Sequence, residues 1–135
     1  MVIPYLKFPG CCEEALKMYV SALGGEIYTL SRFTAATAHH PSLIGKVMHA
    51  EASVAGGAVA GSDSVSPDIP SGFELMVHFP SAAEADRAFD LLAEGGQALQ
   101  RLTPHPPPDD GGAGAMLVDK FGIRWIVTAP NEQKK

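Results

Sequence analysis

Cysteine is almost missing from this 135-residue chain: the only two, Cys11 and Cys12, are adjacent. Neighbouring cysteines are badly placed to bridge to each other and give no finger-type metal spacing, so neither a disulfide framework nor a structural zinc is expected. A reducing compartment suits them, and the cytoplasm is the expected location. Long apolar runs are missing too. None approaches the roughly 20 residues needed to span a bilayer, and residues 1–8 lack the basic region, apolar core and small-residue cleavage site of a secretory signal. Ten Lys and Arg stand against fifteen Asp and Glu, and the ten are scattered rather than gathered in a stripe that could follow phosphates. Neither nucleic acid nor a membrane is an expected partner. With 46% hydrophobic residues, a chain of this length can fold as one compact domain, 1–135, without staples.

What is present is an internal repeat. Phe8-Pro9 precedes Gly24-Gly25 at the spacing with which Phe79-Pro80 precedes Gly95-Gly96, fifteen residues from the proline to the first glycine in each copy. Apolar, alternating segments lead into each Phe-Pro pair, Val2 to Phe8 and Gly72 to Phe79, and predict strands. A helix fills each interval. Ala15, Leu16, Tyr19, Val20 and Leu23 recur at helical spacing in the first, behind Glu13 and Glu14 in the first turn. Ser81 to Glu84 has the form of a capping box in the second, with Ala85, Ala88, Phe89 and Leu92 as its buried stripe. The Gly-Gly pairs supply left-handed stops.

Three strand-like segments follow each helix: Glu26 to Phe33, Lys46 to Val54 and Ala58 to Asp63, then Gln97 to Leu102, Ala113 to Asp119 and Ile123 to Thr128. The chain therefore predicts an α+β fold of two βαβββ modules, 1–63 and 72–130, joined by a Ser-, Pro- and Gly-bearing linker, 64–71. The Pro-rich, then Gly-rich stretch Thr103 to Gly114 reads as a loop within module two.

Alternation along a strand separates its faces. His49, Glu51 and Ser53 share one face, opposite Met48, Ala50, Ala52 and Val54, which are expected to point toward the helices. Glu74, Met76 and His78 oppose Phe73, Leu75, Val77 and Phe79; Tyr5 and Lys7 oppose Leu6 and Phe8. If these polar faces curve toward each other, they line a cavity holding Tyr5, Lys7, His49, Glu51, Glu74 and His78. The competing reading is that the faces are solvated and their charges maintain solubility. His39, His40 and His105 lie in loops, where spacing alone implies no coordination. Cys11 begins a helix, where the dipole can activate a thiol, but packing is the expected role; Trp125, with Ile123 and Val127, is expected in the core.

Five segments carry a family resemblance. They are Ile3-Pro4-Tyr5-Leu6 with Gly10; Cys12-Glu13-Glu14-Ala15 with Tyr19; Gly24-Gly25-Glu26-Ile27; Gly45-Lys46-Val47-Met48-His49-Ala50-Glu51; and Asp119-Lys120-Phe121-Gly122-Ile123-Arg124-Trp125. In that order the chain resembles PhnB-like proteins of the glyoxalase, bleomycin-resistance and dioxygenase (vicinal oxygen chelate) superfamily. The resemblance implies curved mixed sheets forming a small-molecule cavity, and a homodimer. It also implies, for metal-dependent members, ligands at places that map near Ile3, Gly61, Glu74 and Ile126. Only Glu74 among these has a donor, so no cofactor is expected, and a zinc site would need His49, Glu51 or His78 as well. Some relatives carry a demethylubiquinone methyltransferase description, yet no Gly-rich loop follows the first strand as a nucleotide-binding Rossmann unit requires.

The sequence thus reads as a small-molecule-binding protein, with His49 and Glu51 as candidate catalytic or polar contacts and Tyr5, Lys7, Glu74 and His78 as candidate ligand contacts. In an enzymatic version His49 acts as general base, oriented by Glu51 or Glu74. The rivals are a metal-dependent lyase or dioxygenase using His49, Glu51 and Glu74, and a purely structural or interaction dimer.

Overall fold

The computed structural model describes residues 1–68 and 71–134, so part of the expected linker 64–71 lies outside the described residues. The chain divides into two compact units, Met1–Asp68 and Ile69–Lys135.

In the first unit, Leu6 and Phe8 alternate with exposed Tyr5 and Lys7 to give strand β1, Tyr5–Phe8. It starts later than the apolar pattern suggests: Val2 is almost fully exposed, and Pro4 contributes only a carbonyl, which accepts from Ala60 N–H. Helix α1, Cys12–Leu23, buries Cys12, Ala15, Leu16, Tyr19, Ala22 and Leu23. Val20, expected on that stripe, is half-buried instead. Strands β2 (Gly25–Arg32), β3 (Val47–Val54) and β4 (Gly57–Asp63) then meander back, and β4 pairs with β1 in parallel, giving the order β1-β4-β3-β2. One face of this mixed sheet carries α1, while the other is open.

The start of α1 is tied to the sheet by one buried carboxylate. Asp63, 4% exposed, accepts from Gly10 N–H at 3.0 Å and Cys12 N–H at 2.9 Å through Oδ1, and from Val47 N–H at 2.9 Å through Oδ2. Helix start, β3 start and β4 end thus share one acceptor. Cys12 beside it is pushed up to about 12, first by burial, then by the Asp63 charge and by Cys11 and Glu13. Its thiol stays protonated and works as a packing group.

On β3 the expected alternation fails at one residue. Ser31 pairs with His49, but the next residue, Arg32, pairs with Val47, so Met48 is the extra residue of a bulge. Val47 is buried at 1% exposure while Met48 stands 37% exposed. Met48 does not point toward the helix, and the packing role expected of it belongs to Val47. Truncation of Val47 to Ala is therefore expected to cost about 2 kcal/mol, and Met48→Ala under about 0.5 kcal/mol, as read from urea unfolding midpoints. The opposite ranking would contradict the bulge.

The second unit repeats the plan. Strand β5, Leu75–His78, leads to α2, Ala82–Ala93, which buries Ala85, Ala88, Phe89 and Leu92 as expected. Ser81 Oγ caps it by accepting from Glu84 N–H. Strands β6 (Gln97–Pro104), β7 (Gly112–Val118) and β8 (Arg124–Pro130) complete the order β5-β8-β7-β6. Phe73, expected to face the helix, lies before β5 and is exposed. Asp119 fastens the turn after β7: Oδ1 accepts from Phe121 and Ile123 N–H, and Oδ2 accepts from Trp125 Nε1–H at 2.9 Å. Trp125 is core, as its neighbours implied.

The expected loop Thr103–Gly114 is shorter than its prolines suggest. Thr103 pairs with Gly114 and Pro104 with Ala113; Pro104 is tolerated because β6 is an edge strand whose outward N–H has no ladder partner to lose. What remains, 105–111, is held by Asn131, whose N–H donates to Gly111 O and whose Nδ2–H donates to Asp110 O.

Candidate functional site

The open face of the first sheet follows from its register. Tyr5 pairs with Ala60 and Lys7 with Ser62 across β1 and β4, and Glu51 pairs with Ala60 across β4 and β3. Residues paired this way project on the same side. Tyr5 and His49 stand on strands separated by β4, yet Tyr5 Oη lies 3.1 Å from His49 Nδ1. Their rings stack at 5.6 Å between centroids and 21° between planes. The contact therefore passes over β4, and Ala60 beneath it is 3% exposed. His49 Nε2 lies 3.6 Å from Glu51 Oε2, beyond hydrogen-bond length but close enough for charge attraction once the imidazole is protonated.

Phenol, imidazole and carboxylate thus follow one another on one face. With Tyr5 donating to Nδ1, the ring proton sits on Nε2 against Glu51; with Nδ1 protonated and donating to Tyr5, Nε2 is free to accept. An imidazole so held can pass a proton to or from a bound molecule. Lys7 projects from the same face and is exposed. His39 stands edge-on to Phe33 at 6.5 Å, and His40 Nδ1 accepts from Ser42 N–H to start the short 3-10 turn Pro41–Leu43. Both have local structural work.

In the second unit, Glu74 precedes β5 and is exposed, while His78 Nδ1 lies 3.0 Å from Thr128 Oγ1. Thr128 is a polar group that the sequence does not single out, although strand alternation places it opposite buried Val127. His105, expected in a loop, follows β6 and is half-buried against Gly112 and Gly114.

The metal positions implied by the superfamily do not fit. Ile3, Gly61 and Ile126 offer no side-chain donor, and a Cβ on Gly61 would lie 2.9 Å from Leu6 O and 3.1 Å from Cys12 Sγ. Position 61 therefore faces the helix layer, away from the open side. Among the described residues no three His, Cys, Asp or Glu side chains are grouped to hold an ion.

The family model described as 3-demethylubiquinone-9 3-methyltransferase matches residues 1–128. The chain belongs to that family. Among solved structures, PA1353 from Pseudomonas aeruginosa is 32% identical with a TM-score of 0.83, over 96% of this chain and 97% of that one. A Bacillus cereus protein described as a putative 3-demethylubiquinone-9 3-methyltransferase, PhnB protein, is 28% identical with a TM-score of 0.79, over 95% and 98%. A glyoxalase/bleomycin resistance protein/dioxygenase from Nocardioides shares the fold at 21% identity and a TM-score of 0.53, over 100% and 87%. The PhnB-like chain thus has the fold of the glyoxalase/bleomycin resistance/dioxygenase proteins. Of the two longest motifs that carry the resemblance, Asp119–Trp125 builds a turn, whereas Gly45–Glu51 brings His49 and Glu51 to the site. Among the described residues, no helix is long and apolar enough to cross a membrane.

Proposed function

We propose that this PhnB-like protein binds a small molecule on the open face of its first sheet through Tyr5, His49 and Glu51, with Lys7 at the margin. The observation that carries the reading is the Tyr5–His49 contact across β4. Two aromatic side chains from non-adjacent strands meet over an alanine and leave one imidazole nitrogen turned to a carboxylate. Solvated face residues have no reason to converge this way. If the protein is an enzyme, His49 is the proton-transfer group and Glu51 orients it. The face holds no Gly-rich cofactor loop, and Asp63 already takes the Cys12 N–H at the start of α1 and the Gly10 N–H before it. Methyl transfer, named in the family's description, is therefore not assigned to this chain.

His49→Ala is expected to weaken binding at least about tenfold, the worth of a lost polar contact. The fold should survive, because the His49 side chain is 42% exposed. Comparing small molecules retained by the wild type and by this variant after purification from the native host reads the first; melting temperature reads the second. Equal retention would remove the assignment. Glu74 and His78 enter the proposal as contacts of the second sheet, and the protein is proposed to act as a cytoplasmic homodimer. Native mass spectrometry is expected to show a dimer at micromolar concentration with well under one divalent ion per chain. A stoichiometric ion whose removal lowers the melting temperature would favour the metal-dependent reading instead.

A further inference from the structure

The internal repeat matches positions of β1 and β4 with positions of β5 and β8. Counted back from Phe-Pro, Tyr5 and Lys7 correspond to Met76 and His78, and their register partners Ala60 and Ser62 correspond to Ile126 and Thr128. In module two the polar pair closes on itself, His78 Nδ1 lying 3.0 Å from Thr128 Oγ1. Those two places in the frame are therefore within bonding reach of each other. In module one they hold Lys7 and Ser62, and these make no such bond.

Ser62 faces the open side, because Gly61 before it faces the helix layer and Asp63 after it reaches the start of α1. It is only 8% exposed, yet among the described residues its hydroxyl has no hydrogen-bond partner. No fully buried side-chain nitrogen or oxygen lacks a partner among those residues, so the Ser62 Oγ reaches the surface of the face. A hydroxyl so placed is completed from outside the chain, by water or by a bound molecule. Lys7 stands beside it at the roughly 4.8 Å between paired strands, an exposed ammonium with no ion-pair partner among the described residues. Glu51 is the nearest carboxylate on this face by register, two strands across and one row along. That is about 12 Å from Lys7, beyond the roughly 8–10 Å at which salt screens exposed charges from one another. Glu51 is also turned to His49, at 3.6 Å.

Lys7 and Ser62 together thus supply a positive charge and hydrogen-bond donors without an acceptor to match. Ala60, over which Tyr5 and His49 close, is two residues from Ser62, about 7 Å along the strand. We propose that Lys7 and Ser62 form an oxyanion anchor beside the Tyr5–His49 pair. The molecule bound on the first sheet is then a small acid, held by its oxyanion between β1 and β4 and presenting its other end to His49. This assignment rests on the first-sheet reading and adds to it a chemical class and an orientation. Ser62 enters as a binding group, and Lys7 moves from the margin to the anchor.

The test is titration of the full chain, carrying 13C-labelled lysine side chains, with acetate and with inorganic phosphate at an ionic strength held constant with chloride. The Lys7 Cε signal, assigned by its absence from the Lys7→Gln spectrum, is expected to shift saturably. The tighter of the two probes names carboxylate or phosphate as the anion class. Ser62→Ala, which removes one hydroxyl and adds no bulk, should weaken that probe about tenfold. Lys7→Gln, at an exposed position, should lose the small molecules that the wild type retains from its native host, and it decides the matter if the Ser62 variant fails to fold. A Lys7 signal unmoved by both probes, a shift that does not saturate, or full affinity in Ser62→Ala would overturn the anchor. Retention in both Ser62→Ala and Lys7→Gln with loss in His49→Ala would overturn it as well, while leaving the first-sheet reading intact. Loss in both with retention in His49→Ala would keep the anchor and remove His49 from that reading.

Discussion

Replacing Asp63 with Ala is expected to destabilise the protein by about 3–5 kcal/mol, far more than the loss of an exposed polar side chain. The carboxylate is the hydrogen-bond acceptor for three backbone N–H groups, those of Gly10, Cys12 and Val47. Removing it strands donors at the start of a helix and a strand together, two of them in buried bonds. Asp63→Asn should cost less, about 2 kcal/mol, because its carbonyl can still serve Gly10 and Cys12 while its amide opposes the Val47 N–H. Urea unfolding of both variants gives the comparison. A loss below about 1 kcal/mol for Asp63→Ala would show that water replaces the carboxylate and that the junction is less dry than its burial suggests.

The second large effect lies at the second glycine of each Gly-Gly pair. Gly24 and Gly95 have positive φ, 78° and 76°, and make the turn out of each helix. Gly25 and Gly96 do something else. A Cβ on Gly25 would fall inside the Ser53 carbonyl oxygen, and one on Gly96 inside that of Val118, with Asp119 Cα only 2.9 Å away. Both obstacles are backbone, so no side chain can swing aside. Gly25→Ala and Gly96→Ala are each expected to cost about 3 kcal/mol or more, lowering the melting temperature by roughly 10 °C. Gly24→Ala, with open space around its Cβ, should cost less, about 1–2 kcal/mol for an alanine held at φ 78° and ψ 135°. Thermal unfolding of the three single variants ranks them, and a larger loss at Gly24 than at Gly25 would reverse the assignment of roles.

The repeat, both helices and the succession of strands along each module are legible in the sequence because they rest on local periodicity and on Gly and Pro punctuation. The α2 stripe of Ala85, Ala88, Phe89 and Leu92 needs nothing beyond helical spacing. Met48 misleads because Val47 and Met48 are both apolar, so the sequence pattern is the same with and without the bulge between them. Gly61, where the resemblance maps a metal position, has no side chain to betray which way it faces; only its pairing with buried Leu6 shows the phase. Asp63 is invisible as a keystone, since its three partners lie sixteen to fifty-three residues away. Tyr5, His49 and Glu51 follow from strand alternation, but alternation says nothing of Tyr5 reaching over a neighbouring strand. His105 escapes notice as a sheet-bound group because the signal is not the histidine itself. It is the pair of glycines seven and nine residues later that make room for it.

Ala60 contributes neither proton nor hydrogen-bonding side chain, yet the phenol of Tyr5 and the imidazole of His49 close over it. The reach between those rings is therefore gauged by a methyl group on the strand that carries none of the reactive side chains. In the sister module the matching place holds Ile126, and there no aromatic bridge forms above it, because Met76 stands where Tyr5 would. One small residue beneath one copy, and a branched one beneath the other, let two halves of a single repeated plan present chemically different faces without any change to the frame that supports them.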